Sequence, residues 1–246
     1  MIQTHTISIK DRGFLFGDGF FTTVRYDQEP FFFDSHVKRL KKSADLFKIP
    51  FMWDDHFLWH HIHDSCKDYP YPCAIKLIVT RGIQEQRGLL NHHLTPQLYT
   101  IVDSISEPWI HDFENDFLKD LNNALTCDVS RIMRFSKDPL SPVKKLNYMT
   151  EILSRMESLY QDTIILNDQG DVCCTTVGNV VIQTHDQRFL TPYLKSGCVD
   201  GIMRQHLIES KKIHERNITI DDLHTASSIF MINSLRGIRL LNLKTA

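Results

Sequence analysis

The segment Cys73–Arg81, Cys-Ala-Ile-Lys-Leu-Ile-Val-Thr-Arg, is apolar at every position from Cys73 to Val79 but Lys76. A strand of that composition belongs in the centre of a sheet with both faces covered, so the rest of the chain must supply the cover. The preceding residues supply it. Phe20 to Phe33 reads as a hairpin, with β-branched and aromatic residues on either side of the turn Asp27-Gln28-Glu29-Pro30. A helix follows, capped by Asp34 or Ser35, in which Val37, Leu40, Ala44 and Phe47 recur at helical spacing and Lys38, Arg39, Lys41 and Lys42 stay off the stripe. Asp55 to Cys66 is predicted as a second helix, and Gln97 to Ile105 as a strand beside Cys73–Arg81.

Periodicity is lost over Ser106 to Asp116, which contains Glu107-Pro108, and this stretch marks the expected division of the chain. Residues 1–110 form a smaller α/β domain and residues 111–246 a larger one. The larger part reads as a strand at Ala124–Ser130, a helix at Leu146–Leu159 and a hairpin from Thr163 to Thr184 through Asp168-Gln169-Gly170. A helix near Gly201–Lys212 and strands at Ser227–Asn233 and Ile238–Leu243 complete it. Strands and helices mixed in both parts give a mixed α/β, two-domain class.

With 246 residues, 42% of them hydrophobic, the chain can bury a sizeable core. A net charge of -2 offers no basic surface for a phosphate backbone, which argues against nucleic acid and for a small-molecule substrate. The start Met1-Ile-Gln-Thr-His lacks the basic and apolar regions of a signal peptide, and no stretch has the length of a membrane span. A cytoplasmic protein, with no membrane partner, is the expectation. The six cysteines are irregularly spaced without a Cys-x-x-Cys pair, so free buried thiols are expected. The clusters His60-His61-x-His63 and His92-His93 raise a metal-binding module as a competing class. His60 and His63 fall near one helical face, but no acidic or cysteine partner accompanies them, and no metal is assigned.

Lys144-Lys145 alone reads as a solvated basic pair. Its surroundings, Pro139-Leu-Ser-Pro-Val-Lys-Lys-Leu-Asn147, resemble the segment around the cofactor lysine of fold type IV pyridoxal-phosphate enzymes, the class IV aminotransferase-like group. There a lysine is followed by one variable residue and then Leu-Asn, a spacing that selects Lys144. Asp11-Arg-Gly and Phe16-Gly-Asp-Gly-Phe-Phe-Thr-Thr-Val-Arg25 resemble the opening signature of the aminodeoxychorismate lyases. Further segments match in order along nearly the whole chain.

The resemblance implies a cofactor, pyridoxal 5'-phosphate, held between two domains with Lys144 as its covalent anchor. It implies Arg39, in Ser35-His-Val-Lys-Arg39-Leu, as a phosphate ligand, for which a guanidinium is well suited. Gly201, Ile202 and Met203 match the second phosphate element, and an uncapped helix start with free N–H groups favours an anion. Asn179, Asn233 and Ser234 match cofactor-pocket positions. Thr23 and Arg87 match substrate positions, Arg87 within the paired elements Arg81-Gly82 and Arg87-Gly88; Leu89 replaces the tyrosine that commonly follows the second. A homodimer, with sites near the subunit contact, is also implied.

One position departs from the pattern. The family places a glutamate against the pyridine nitrogen, four residues after a turn glycine and five before an asparagine, and counting from Gly170 and back from Asn179 gives Cys174. A neutral thiol would not hold the pyridinium proton as a carboxylate does. Transamination, which reprotonates the cofactor carbon, should suffer more than elimination. The expected reaction is therefore release of pyruvate from 4-amino-4-deoxychorismate to give 4-aminobenzoate, a step of folate biosynthesis, with Lys144 as the base. The alternatives are a D-amino-acid or branched-chain aminotransferase, a member with altered or lost activity because of Cys174, and a cofactor-binding protein without turnover.

Overall fold

Strand β1 (Gly19–Asp27) pairs residue for residue with β3 (Cys73–Thr80), from Gly19 opposite Thr80 to Tyr26 opposite Cys73. The computed structural model describes residues 6–89, 94–106, 109 and 124–244. Two compact units form: Met1–Ser106 with Lys144–Asn147, and Glu107–Val143 with Tyr148–Ala246. The segment 106–116, where the division is expected, lies almost wholly outside the described residues.

In the first unit the described strands form one sheet in the order β2-β1-β3-β4, with β2 at Glu29–Pro30 and β4 at Gln97–Ser104. Alternation along β1 sends Phe20, Thr22 and Tyr26 to one face and Phe21, Thr23 and Arg25 to the other. The first face is covered by α2 (Phe33–Phe47) and α3 (Asp55–Cys66): Phe20 meets Phe47 edge-on, Thr22 meets His36 and Tyr26 meets His63. Ile75, Leu77 and Val79 of β3 are at most 1% exposed, and each full burial of such a side chain contributes about 1.5–3 kcal/mol.

Two details differ from the sequence reading. Helix α2 begins at Phe33 after a left-handed Phe32 and has no side-chain cap, so Asp34 lies in its first turn, where its charge favours the positive end of the helix dipole. The hairpin partner of β1 is only two residues long, because Phe32 turns directly into the helix.

That short β2 leaves the Gly19–Phe21 end of β1 with an open edge. Lys144–Leu146 fills it: Phe21 N–H donates to the Lys144 carbonyl at 2.9 Å and Leu146 N–H to the Gly19 carbonyl at 3.1 Å. Lys144 thus belongs to the first unit, not to the 111–246 part that the sequence reading gave it. The helix expected from Leu146 starts only at Met149, since the residues before it are extended along β1 (α4, Met149–Glu157). A Cβ on Gly19 would stand 2.3 Å from the Val79 carbonyl oxygen, so this close approach requires glycine. The short helix α1 (Arg12–Phe16) is capped by Asp11, which accepts from Gly13 N–H at 2.7 Å and from the Thr80 hydroxyl at 2.7 Å.

The second unit carries, among the described residues, a mixed sheet in the order β10-β9-β8-β11-β12-β5-β6-β7. Its strands are β5 (Leu125–Val129), β6 (Asp162–Leu166), β7 (Val172–Thr175), β8 (Asn179–Gln183), β9 (Phe189–Pro192), β10 (His214–Arg216), β11 (Ser228–Asn233) and β12 (Gly237–Leu243). Helices α5 (Ile202–Glu209) and α6 (Ile220–Thr225) complete it. The hairpin expected over Thr163–Thr184 comprises β6 and β7 only; β8 leaves it to pair with β9 and β11. Asn167 shapes the turn by accepting from Gln169 and Asp171 N–H, both at 2.9 Å, and Gly170 takes φ 82°, a left-handed conformation open to glycine.

Candidate functional site

In the first unit, Thr22 and Thr23 point to opposite faces of β1 and so serve different neighbours. Thr22 is fully buried with its Oγ1 2.6 Å from His36 Nδ1, and Arg39 Nη2 donates to the same hydroxyl oxygen. Arg39 Nη2, which can only donate, also lies 3.5 Å from His36 Nδ1, so that nitrogen is the acceptor, the Thr22 hydroxyl donates to it and the ring hydrogen sits on Nε2. That Nε2 is buried without a hydrogen-bond partner. Burial first, then the charges of Arg39 and Lys144, lower the His36 pKa well below its ordinary value, so the ring is neutral. His36, Arg39 and Lys144 thus present donors and positive charge, a set matched to an anion with several acceptor oxygens.

Lys144 Nζ lies over the Phe21 ring, 4.7 Å from its centroid, and Lys76 Nζ lies 4.1 Å from the same centroid. Thr23, opposite Lys76 in the β1–β3 register, is half-buried beside them. The sequence reading missed His36, Phe21 and Lys76. His36 was within reach of it, since it stands three residues before Arg39 on one helical face.

The paired Arg-Gly elements do not act alike. Arg81 is committed to Asp18, by Nε at 2.8 Å, and to the Phe47 carbonyl at the end of α2, by Nη2 at 2.8 Å. Arg12 also donates to Asp18, at 2.7 Å, and holds the Leu89 carbonyl at 2.8 Å. Arg81 is therefore a structural residue rather than a substrate contact. Arg87 is exposed on the loop that Arg12 organises. Of the histidine clusters, His63 Nδ1 is hydrogen-bonded to the Tyr26 hydroxyl at 2.5 Å and His60 packs tilted against His56, ring centroids 4.4 Å apart. His92 and His93 lie outside the described residues, among which no group of three or more ligands could hold a metal.

In the second unit Cys174 is 3% exposed, and its Sγ lies 3.4 Å from Arg134 Nη1. A bulge in the β6–β7 pairing is the local cause: Ile165 faces Cys174 and Leu166 faces Val172, so Cys173 is the extra residue. Bulging turns both thiols toward one side, where they join Cys198 in a buried cluster. Arg134 is fixed by its backbone, donating to the Leu166 carbonyl at 2.9 Å, and by an ion pair to Glu151 of α4 at 3.7 Å. The hydrogen bond from Cys173 and the adjacent Arg134 guanidinium, set against burial, lower the Cys174 pKa, while Cys173, the donor, is raised.

Helix α5 starts at Gly201 without a side-chain cap. A Cβ on Gly201 would stand 2.1 Å from Asn179 Oδ1, and Asn179 Nδ2 donates to the Val199 carbonyl at 2.9 Å, so Asn179 supports the loop that leads into the helix. Ile202 and Met203 are buried, which leaves only their backbone N–H groups for a ligand. Asn233 spends its amide on its own turn, accepting from Leu235 and Arg236 N–H at 3.0 and 2.7 Å and donating to the Val177 carbonyl at 3.2 Å. Ser234 is half-buried in that turn.

Compared with known proteins, residues 19–241 match the model of the amino-transferase class IV family. Aminodeoxychorismate lyase of Vibrio harveyi is 26% identical over 96% of this chain and 86% of its own length. A putative branched-chain-amino-acid aminotransferase of Methanocaldococcus jannaschii is 28% identical over 92% of this chain and 78% of its own. Among solved structures, a putative 4-amino-4-deoxychorismate lyase of Legionella pneumophila superposes with a TM-score of 0.83 at 26% identity, covering 98% of this chain and 88% of that one. Members of the matched family depend on pyridoxal phosphate. A match across nearly the whole chain, on a mixed α/β fold shared with these structures, makes the chain a member of the class IV aminotransferase family.

Proposed function

We propose that the protein is a pyridoxal-phosphate-dependent lyase that converts 4-amino-4-deoxychorismate to 4-aminobenzoate and pyruvate. The observation that carries the cofactor reading is the buried Thr22–His36–Arg39 group with Lys144 close enough to depress the His36 pKa. It offers positive charge and the unpartnered His36 Nε2 donor, and it fits a phosphorylated cofactor anchored by a lysine. The residues that would hold the group are Lys144 and Arg39 in the first unit. In the second they are Cys174 and the N–H groups of Ile202 and Met203 behind Gly201, with Asn179, Asn233 and Ser234 shaping the surrounding loops.

When bound, pyridoxal phosphate supplies an electron sink that makes the proton beside the substrate amine removable. Lys144 Nζ is the base that takes this proton, and the Phe21 ring under it limits where the amine can swing. The ring C–O bond to the enol-pyruvyl group then breaks, the departing enolate takes up a proton to give pyruvate, and the ring aromatises; the proton that Lys144 removed is not returned to the cofactor. The preference for elimination rests on the likeness to aminodeoxychorismate lyase of Vibrio harveyi and to the putative one of Legionella pneumophila, and on the Thr22-Thr23 and Asn233-Ser234 segments, which resemble the lyase pattern. The competing aminotransferase reading draws on the Methanocaldococcus jannaschii relative and gains from the charged surroundings of Cys174.

A homodimer is part of the same proposal. Helix α1 exposes Phe14, Leu15 and Phe16, and α4 exposes Met149, Ile152, Leu153 and Met156 at helical spacing, apolar surface that a second copy would cover. Sedimentation of the purified chain as a monomer would sink this part.

The deciding experiment is borohydride reduction of the protein loaded with pyridoxal phosphate, followed by peptide mapping and by assay of 4-aminobenzoate and pyruvate. Label on Lys144 with release of both products supports the reading. Label with amino-group exchange instead assigns an aminotransferase, and label without turnover assigns a binding protein.

A further inference from the structure

Five observations meet at one point in the second unit. Cys174 is the residue that sequence spacing puts at the family's carboxylate position, and it is buried. Its Sγ faces Arg134 Nη1 at 3.4 Å. Arg134 is itself 7% exposed and hydrogen-bonded through Nη2 to the Ser141 carbonyl at 3.4 Å, so it cannot swing away to solvent without breaking those contacts. The β7 bulge brings Cys173 alongside in the same buried cluster. Glu151, 3.7 Å from Arg134, is the remaining anion of the group.

A buried guanidinium requires compensating negative charge. Glu151 lies 3.7 Å from Arg134, too far for a tight hydrogen-bonded pair. Among the described residues Nη1 of the fork meets the Cys174 sulfur, which accepts from it, and Cys173 lies beside that sulfur in the same buried cluster.

We propose that Cys174 is a thiolate, ion-paired with Arg134, and that it supplies in this chain the negative charge that a carboxylate supplies elsewhere in the family, with Arg134 as its positioning residue. The thiol proton leaves to water, and no oxidant or co-reactant is involved. The groups facing Cys174 are Cys173 on its own strand, Arg134 from the loop after β5, Glu151 from α4 and Cys198 from the loop before α5. Glu151 and the neighbouring thiols oppose the charge by repulsion and burial; Arg134 and the Cys173 donor favour it. The proposal rests on the cofactor reading for what the charge acts on, but the charge itself is measurable in the full chain with no cofactor added.

The test is a pH titration of the far-ultraviolet thiolate band of the full-length protein, wild type against Cys174→Ser. An excess of one thiolate in the wild type at neutral pH is expected, and in Arg134→Met the same band should emerge at least one pH unit higher. Identical spectra for wild type and Cys174→Ser up to the ordinary thiol value of 9.0 overturn the proposal. If Cys174→Ser does not fold, Arg134→Lys serves: its looser contact should move the thiolate step upward, and an unmoved titration overturns the proposal. For the cofactor contact, Cys174→Asp should keep the absorption maximum of bound pyridoxal phosphate and Cys174→Ala should shift it. Unlabelled Lys144 after borohydride reduction would defeat the cofactor reading while leaving the thiolate result standing.

Discussion

The Thr22 hydroxyl stands between His36 Nδ1, 2.6 Å away, and Arg39 Nη2, and it thereby sets both the tautomer of the histidine and the position of the guanidinium. Replacing Thr22 with valine keeps the shape but removes the bridge. The buried His36 Nδ1 is then left without its donor, at a cost of about 1–3 kcal/mol. Thr22→Val should lower the midpoint of urea unfolding by that amount and weaken pyridoxal-phosphate binding about tenfold or more, as read by absorbance titration. Thr22→Ser should recover most of both, and full affinity in Thr22→Val would remove Arg39 from the phosphate site.

His36 also makes the fold sensitive to acid. Its folded pKa lies well below the ordinary 6.5, burial being the chief cause, so below pH 6.5 the unfolded chain binds a proton that the folded chain refuses. Stability should therefore fall as pH drops below that value, by up to about 1.4 kcal/mol per pH unit from this group. Urea midpoints measured from neutral to acid pH should fall less steeply in His36→Gln than in the wild type. Parallel curves would mean that the folded protein protonates His36 freely.

The part of the candidate site that the sequence offers is local. Lys144 with Leu146-Asn147, Arg39 in Ser35-His-Val-Lys-Arg39-Leu and Gly201 before a helix are short-range patterns picked out by the family resemblance, and the structure gives each a physical setting. What escaped was set by distant pairing. Arg134 has no periodic neighbours to mark it and meets Cys174 only because β6 and β7 bring positions far apart in sequence together. Lys144 joins the first unit only because β2 is too short to cover the edge of β1, a length that the run Phe31-Phe32-Phe33 does not reveal. The bulge that turns Cys173 and Cys174 to one side likewise has no signature in Asp171-Val172-Cys173-Cys174.

Asp18 ties Arg12 and Arg81 together and is only 13% exposed in its side chain. Burial alone would raise its carboxyl, but the hydrogen bonds from Arg81 and Arg12 outweigh it and the pKa is lowered below 3.8. The resulting stability is present above 3.8 and is lost as pH falls through the lower folded value. Asp18→Asn leaves two guanidinium groups facing each other and should destabilise the first unit by about 3–5 kcal/mol, seen as a fall in Tm. Because Arg81 also holds the end of α2, Arg39 should be displaced and cofactor affinity should drop with it. A Tm loss of less than about 1 kcal/mol equivalent would mark the network as surface-like.

Gly201 and Asn179 offer a test by double substitution. In Gly201→Ala the new Cβ meets Asn179 Oδ1 at 2.1 Å, so either the asparagine or the first turn of α5 must move. Overpacking of this kind costs about 1–3 kcal/mol, and it displaces the Ile202 and Met203 N–H groups assigned to the phosphate. Asn179→Ala removes the obstructing oxygen but also the bond to the Val199 carbonyl. The two changes share one contact, so their effects should not add: Gly201→Ala should cost less in the Asn179→Ala background, with a coupling of at least about 0.5 kcal/mol in unfolding free energy. Cofactor affinity should follow the same pattern, falling most in Gly201→Ala alone. Strict additivity would show that the helix start, rather than Asn179, absorbs the added methyl group.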